Sequence, residues 1–107
     1  MAVEHWDPVQ DGELSEAALW RKLERRGYAV TRYVYPSGTC FPEHTHAVDK
    51  IDAVVSGRFR LTTHHVDAVL TAGDCLTVPH GVLHRAEVVG DEPVICLDAS
   101  RSPREPD

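Results

Sequence analysis

The chain has 107 residues, of which 17 are acidic and 11 basic, so its formal net charge is -6 with the seven histidines neutral. This length predicts a single domain with one core, and the acidic balance argues against a nucleic-acid partner, because phosphate binding depends on Lys and Arg. The sequence has neither an apolar run of ~18 residues nor a signal-peptide pattern, and its three cysteines have unrelated spacings, so we expect a cytoplasmic protein without membrane contact.

The N-terminal part of the chain predicts one helix. Residues 1–12 have no hydrophobic period and predict an irregular arm. Further on, Leu19 and Leu23 are four residues apart, which places them on one face of a helix, and Ser15 is the predicted N-cap. We therefore assign residues 1–27 to an arm and a helix that pack on the domain that follows.

From residue 28 onward the chain predicts strands only. Short runs rich in Val, Tyr, Thr and Ile alternate with turns of Pro, Gly and Asp. We place eight strands near residues 28–35, 39–44, 50–56, 58–63, 66–71, 75–79, 84–89 and 93–98. Strands without intervening helices predict an all-β antiparallel sandwich or small barrel over residues 28–100. Residues 101–107, with two prolines and four charges, predict a flexible tail.

The histidines carry the functional signal. His44 and His46 are separated by one residue, and on a strand this spacing puts both imidazoles on the same face. His84 follows a turn at Pro79 and Gly81 that could bring it beside the first pair. Three neutral imidazoles would bind a divalent transition metal and leave coordination positions open for water or substrate.

The residues around these histidines resemble the two motifs of the cupin superfamily. The motif positions are occupied by Gly38, His44, His46, Lys50 and Gly57 in the first motif, and by Gly73, Pro79, Gly81, His84 and Val88 in the second. The resemblance implies a single-domain cupin, which is a small antiparallel jelly-roll barrel of about eight strands, here with one N-terminal helix. It also implies that His44, His46 and His84 are the metal ligands.

Two positions depart from the cupin pattern. Lys50 stands where the first motif has a metal-binding glutamate, and Val88 stands where the second motif ends in asparagine. An ammonium group has no lone pair to give a metal, so the expected site has three histidines. The sequence leaves the metal open among Fe, Zn, Mn and Ni.

Strand alternation adds two candidate catalytic residues. If the strand is regular from His44 onward, Lys50 and Asp52 face the interior, while Ile51 and Ala53 face outward. Because an unpaired buried charge is costly, we expect Asp52 to pair with Lys50. Lys50 would then present its charge to a substrate carboxylate or move a proton. The alternative is a lysine that extends to solvent at the barrel mouth.

These features leave three functional interpretations open. The first is a metal-dependent enzyme of the dioxygenase, isomerase or lyase type, acting on a small anionic molecule in a locally positive pocket. The second is a non-catalytic module that binds or senses a small ligand, and the third is a metal that only stabilises the barrel. Since the outward face of the strand near Lys50 is apolar, the N-terminal helix or a second subunit should cover it, and we expect a homodimer.

The remaining histidines are expected to lie outside the metal site. The pair after Thr63 falls in a predicted hairpin turn, the histidine between Pro79 and Gly81 is predicted at the surface, and the first one lies in the arm. These residues are His64, His65, His80 and His5.

Overall fold

A computed structural model describes residues 1–103, and residues 104–107 of the predicted tail lie outside the described part of the chain. The elements are α1 (Pro8–Asp11), α2 (Glu16–Arg25), β1 (Ala29–Tyr35), β2 (Cys40–His44), β3 (Asp49–Ser56), β4 (Phe59–Thr62), β5 (Asp67–Leu70), β6 (Cys75–Val78), β7 (His84–Val88) and β8 (Val94–Arg101). They form two antiparallel sheets, in the orders β1-β8-β3-β6 and β2-β7-β4-β5. The sheets stack as a jelly-roll sandwich, so the prediction of an all-β antiparallel fold with eight strands is confirmed.

The strand bounds agree with the sequence prediction except at the last strand. The first seven strands begin and end within one residue of the predicted positions. β8 runs on to Arg101, which the prediction assigned to the tail. Arg101 pairs with Asp49 of β3, its guanidinium lies 4.4 Å from the centre of the Tyr28 ring, and it donates a hydrogen bond to the carbonyl of Arg26 at 3.0 Å. These contacts explain why the sheet continues past the last apolar residue.

Helix α2 forms where the sequence predicts it. The hydroxyl of Ser15 accepts a hydrogen bond from the backbone N–H of Ala18 at 3.0 Å, as an N-cap does. Leu19 and Leu23 are both buried. Within residues 1–103, neither helix is long and apolar enough to cross a membrane.

Helix α1 is a correction to the predicted irregular arm. Its four residues begin at Pro8. Proline has no backbone N–H, but the N–H groups of a first helical turn have no partner within the helix, so no hydrogen bond is lost. Asp7 caps it by accepting a hydrogen bond from Val9 at 3.0 Å. One helical turn is too short to show a hydrophobic period, which is why the sequence pattern did not reveal it.

The buried residues form two clusters on opposite sides of the first sheet. The inner cluster lies between the two sheets and contains Val54, Phe59, Leu61, Leu70, Leu76, Val78, Ala86, Val88, Val94 and Cys96. The outer cluster lies between the sheet and α2 and contains Leu19, Leu23, Tyr28, Ile51, Ala53, Cys75, Leu97 and Ala99. The N-terminal helix and a second subunit were the two expected covers for the outward face of β3, and in the structure α2 covers it.

The N-terminal arm extends the first sheet beyond β6. Glu4 and Cys75 exchange two backbone hydrogen bonds, of 2.8 and 2.9 Å. Next to this bridge, Trp6 packs so closely on Gly73 that a Cβ at that glycine would lie 2.8 Å from the Trp6 Cβ. Gly73 also has a φ of +88°, so this contact requires glycine.

Candidate metal site and pocket

The three candidate metal ligands converge between the two sheets. His44 ends β2, His84 begins β7, and the two residues are direct partners in the antiparallel ladder. His46 lies in the loop after β2. One ring nitrogen from each histidine lies within 4.8 Å of the other two. The structure thus brings His84 beside His44 and His46, although at least 38 positions separate it from them in the sequence.

Backbone carbonyls orient two of the imidazoles. His44 donates from Nδ1 to the carbonyl of Pro42 at 2.7 Å, and His84 donates from Nδ1 to the carbonyl of Val82 at 2.8 Å. Because a carbonyl only accepts, the proton of each neutral ring resides on Nδ1. The Nε2 lone pairs of both rings are therefore free for a metal.

The donor set fits a transition-metal dication. The Nε2 atoms of His44 and His46 are 3.1 Å apart, and two nitrogens that bind one metal at about 2.1 Å and near a right angle are separated by about 3 Å. Burial lowers the pKa of both His46 and His84, and nearby positive groups, including Lys50, lower the two values further. These histidines are therefore held in the neutral form that binds metals.

Lys50 and Asp52 face the same pocket, but from the opposite sheet. The predicted orientation depended on a regular strand from His44 onward, whereas β2 and β3 belong to different sheets and residues 45–48 cross between them. The predicted inward orientation of Lys50 and Asp52 agrees with the structure, since both line the pocket. The continuous strand assumed for that prediction was wrong.

The partner of Lys50 is Asp98, not Asp52 as predicted. The Nζ of Lys50 forms an ion pair with Oδ1 of Asp98 on β8. The Lys50 side chain is only 15% exposed, so the alternative of a lysine extended into solvent is also wrong. Asp52 and Asp98 are direct partners in the β3–β8 ladder, so the two carboxyl groups lie side by side.

The electrostatics of Asp52 follow from this arrangement. Burial and the neighbouring carboxylate of Asp98 raise the pKa of Asp52 to about 7, and the charge of Lys50 opposes the shift. Asp52 therefore holds a proton over much of the acidic and neutral range. A carboxyl group that exchanges its proton near neutral pH is suited to acid–base chemistry.

The rest of the pocket is uncharged. It has a volume of about 120 Å³, and its other lining residues are Tyr35, Phe41, Phe59, Leu61 and Ala86. The ring of Tyr35 packs 5.0 Å from that of Phe41 and 5.5 Å from that of Phe59. Burial, with several nearby acidic groups, raises the pKa of the Tyr35 hydroxyl, so it stays protonated.

Sequence reasoning missed Asp98 and Tyr35 as pocket residues. A signal for Asp98 was present in β8, where Val94, Cys96 and Asp98 alternate on one face. The first two belong to the inner cluster, so a strand parity count places the carboxylate inside with them. No motif contains Tyr35, and only the sheet order brings it to the pocket.

A hydrogen-bonded clamp joins the two segments that carry His46 and His84. Oδ1 of Asp49 accepts from the backbone N–H of His80 at 2.9 Å and from its Nδ1 at 2.8 Å. The N–H of Gly81 in the same turn donates to the carbonyl of His46 at 2.9 Å. The exposed position of His80 agrees with the prediction, but its bond to Asp49 was not foreseen.

The other histidines lie away from the metal site, as expected. His64 and His65 are exposed in the turn after β4. His5, in the arm, donates to Asp74 at 2.6 Å. A larger depression of about 400 Å³ also lies outside this site; it is lined by Cys40, Phe41, Pro42, Glu43, Arg60, Thr62, Arg85, Ala86 and Glu87, and contains no histidine.

Comparisons with known proteins agree with this fold. A family model described as "Cupin domain" matches residues 31–100. An uncharacterized protein of Streptomyces coelicolor is 28% identical over 78 residues, which cover 73% of this chain and 74% of that protein.

Similar solved structures include one named as a cupin and one named as a lyase. An RmlC-like cupin from Shewanella frigidimarina is 29% identical with a TM-score of 0.62, over 73% of this chain and 68% of that one. The DMSP lyase DddQ from Ruegeria pomeroyi is 25% identical with a TM-score of 0.64, over 75% of this chain and 41% of that one. KdgF from Halomonas sp. is 24% identical with a TM-score of 0.60, over 73% and 71%, a similarity of fold alone.

Proposed function

Because the chain belongs to the cupin family, we propose that it is a metal-dependent enzyme that acts on a small anionic molecule. The proposed metal ligands are His44, His46 and His84. The observation that carries the proposal is the convergence of three histidine nitrogens within 4.8 Å, beside an acid–base group in a pocket between the sheets. Among the reaction types expected from the sequence, the similarity to a DMSP lyase favours a lyase.

The proposed catalytic residues are Asp52 and Lys50. A bound dication would supply Lewis-acid character at the open side of the histidines. Asp52 holds the proton that a bound ligand exchanges, since its pKa is about 7. Lys50 forms an ion pair with Asp98 beside it, and the rings of Tyr35 and Phe59 line the same pocket.

A non-catalytic ligand-binding module is the second candidate function. It is favoured by the Lys50–Asp98 ion pair, because a lysine already bound to a carboxylate is less free to orient a substrate or move a proton. In that case the pocket would retain a small ligand on the metal without converting it. The two candidates share the same metal and differ in whether Asp52 exchanges a proton with the ligand.

Metal content tests the shared basis of both candidates. The protein is purified without chelators, and its metals are measured by mass spectrometry. We expect about one transition-metal ion per chain, a loss of at least tenfold in affinity for His84→Ala, and no change for the exposed control His64→Ala. A wild-type protein that contains no metal and takes up none of Fe, Zn, Mn or Ni would contradict the proposal.

We also propose that the protein is a homodimer in the cytoplasm, although the outward face of β3 no longer supports a dimer. The outward face of β3 is covered by α2, so it does not need a second subunit. What supports a dimer is the exposed edge strand β1, where Tyr33 and Val34 are 46% and 52% exposed. The molar mass measured by light scattering distinguishes a monomer from a dimer.

A further inference from the structure

The pocket carries less positive charge than its lysine indicates. Lys50 is neutralised by Asp98, and a histidine binds a metal as an uncharged imidazole. Asp52 adds a negative charge whenever it is ionised. The positive charge available to a ligand therefore comes from the metal alone, which differs from the locally positive pocket that the sequence predicted.

The charges of the pocket are also separated in space. His44 and His84 come from the second sheet, whereas Asp52 and Asp98 come from β3 and β8 of the first. As cross-strand partners, the two acids have Cβ atoms about 5 Å apart and form one acidic wall. In a pocket of only about 120 Å³, a ligand that reaches across from the histidines meets this wall.

We propose that this pocket selects monoanions whose far end is neutral and rejects dianions of the same shape. This inference rests on the proposed metal site and narrows its ligand class. One anionic group of the ligand binds at the histidines, and a neutral amide, hydroxyl or carbonyl group faces the acids. A second carboxylate at that place would lie against like charges that Lys50 only half compensates, and like charges in contact are unfavourable.

A matched pair of probes tests the charge preference. Fumarate and its monoamide, fumaramate, have the same number of non-hydrogen atoms and differ by one charge, and their trans geometry prevents both ends from binding one metal. Binding to zinc-loaded protein is measured by calorimetry at pH 8, and zinc retention is checked after each titration. We expect fumaramate to bind at least tenfold more tightly than fumarate.

Substitution of Asp98 should remove the expected preference. Asp98→Asn frees the charge of Lys50, so fumarate should bind at least tenfold more tightly than to the wild type, whereas fumaramate should change less than threefold. Asp67→Asn makes the same charge change on the exposed ion pair with Arg60 and should leave both affinities unchanged. If Asp98→Asn does not fold, Lys50→Met tests the same interaction and should increase the discrimination against fumarate.

The outcomes separate this inference from the proposed function. A wild-type protein that binds no zinc contradicts the metal site itself. Zinc-loaded protein that binds both acids equally, or binds neither, overturns the charge selection while leaving the metal site intact. Equal responses of Asp98→Asn and Asp67→Asn would show that net charge, and not the acidic wall, governs binding, which also overturns it.

Discussion

The two faces of β3 carry opposite chemistry, although their residues alternate along the chain. Ile51 and Ala53 are fully buried under α2, in contact with the apolar residues of the outer cluster. Lys50 and Asp52 face the other way, into a pocket where charges are held out of water. The outward face stabilises the fold by apolar burial. The inward face lowers the stability, because its charged groups are partly removed from water.

The largest expected effect lies on the outward face. Ile51→Ala removes a fully buried side chain beneath α2 and should lower the free energy of unfolding by about 2–5 kcal/mol. Urea denaturation measures the loss, and zinc affinity should stay within about twofold of the wild type, because the side chain points away from the pocket. Val69→Ala, at a position 45% exposed, is the control and should change little. A weakened metal site in Ile51→Ala would show that the faces are not independent.

On the inward face, burial of the ionised Asp52 carboxylate should lower the stability of the protein. Its pKa rises from 3.8 in the unfolded chain to about 7 in the folded protein, so the folded state binds the proton more tightly. Its contribution to stability is therefore present below pH 4 and is lost as the pH rises through 7. Asp98, Lys50, Tyr35 and Cys96 are the titratable groups that interact with it.

The corresponding substitution should stabilise the protein in a pH-dependent way. In metal-free protein, we expect Asp52→Asn to be more stable than the wild type by about 2 kcal/mol at pH 8, with a difference that shrinks toward pH 4. Urea denaturation at a series of pH values measures it. A difference that is constant with pH would show that Asp52 titrates normally in the folded protein.

The clamp between Asp49 and His80 should have a smaller effect, limited to metal binding. His80→Ala removes a contact that joins the loop of His46 to the turn before His84, so zinc affinity should fall about tenfold. The matched control is His5→Ala, which removes a similar exposed histidine–carboxylate bond to Asp74 and should leave zinc affinity unchanged. His80→Asn keeps a side-chain amide that can donate to Asp49 in place of the imidazole, so it should lose less. If all these variants bind zinc with equal affinity, the contact between Asp49 and His80 does not support the metal site.

The smallest effect is expected for the charges of the second sheet. Arg60 pairs with Asp67 and Glu87 at the surface, where water and salt screen the interaction. Arg60→Gln should therefore leave both the unfolding curve and zinc affinity within experimental error at physiological ionic strength. A clear loss of stability would mean that this exposed ion pair contributes to the free energy of unfolding, contrary to the contrast drawn with the buried charges of β3.

The sequence predicted the fold and the histidines because both depend on local patterns. Strands are visible in the alternation of apolar residues between Gly and Pro turns, and His44 and His46 are visible through their spacing. Asp98 was missed because a single acid in a strand has no motif, and its partner is 48 residues away. The pairing of Lys50 could be assigned only once the order of strands β1-β8-β3-β6 was known.

The N-terminal arm has a further consequence for the behaviour of the protein in solution. Because Glu4 bonds to Cys75, the first residue of β6 is not open to pairing with a strand from another molecule. Removing the arm would expose that edge and would also remove Val3 and Trp6, which pack against the inner and outer clusters. A shortened chain would therefore be expected to associate more readily, so the first residues protect the end of the sheet from self-association as well as extending it.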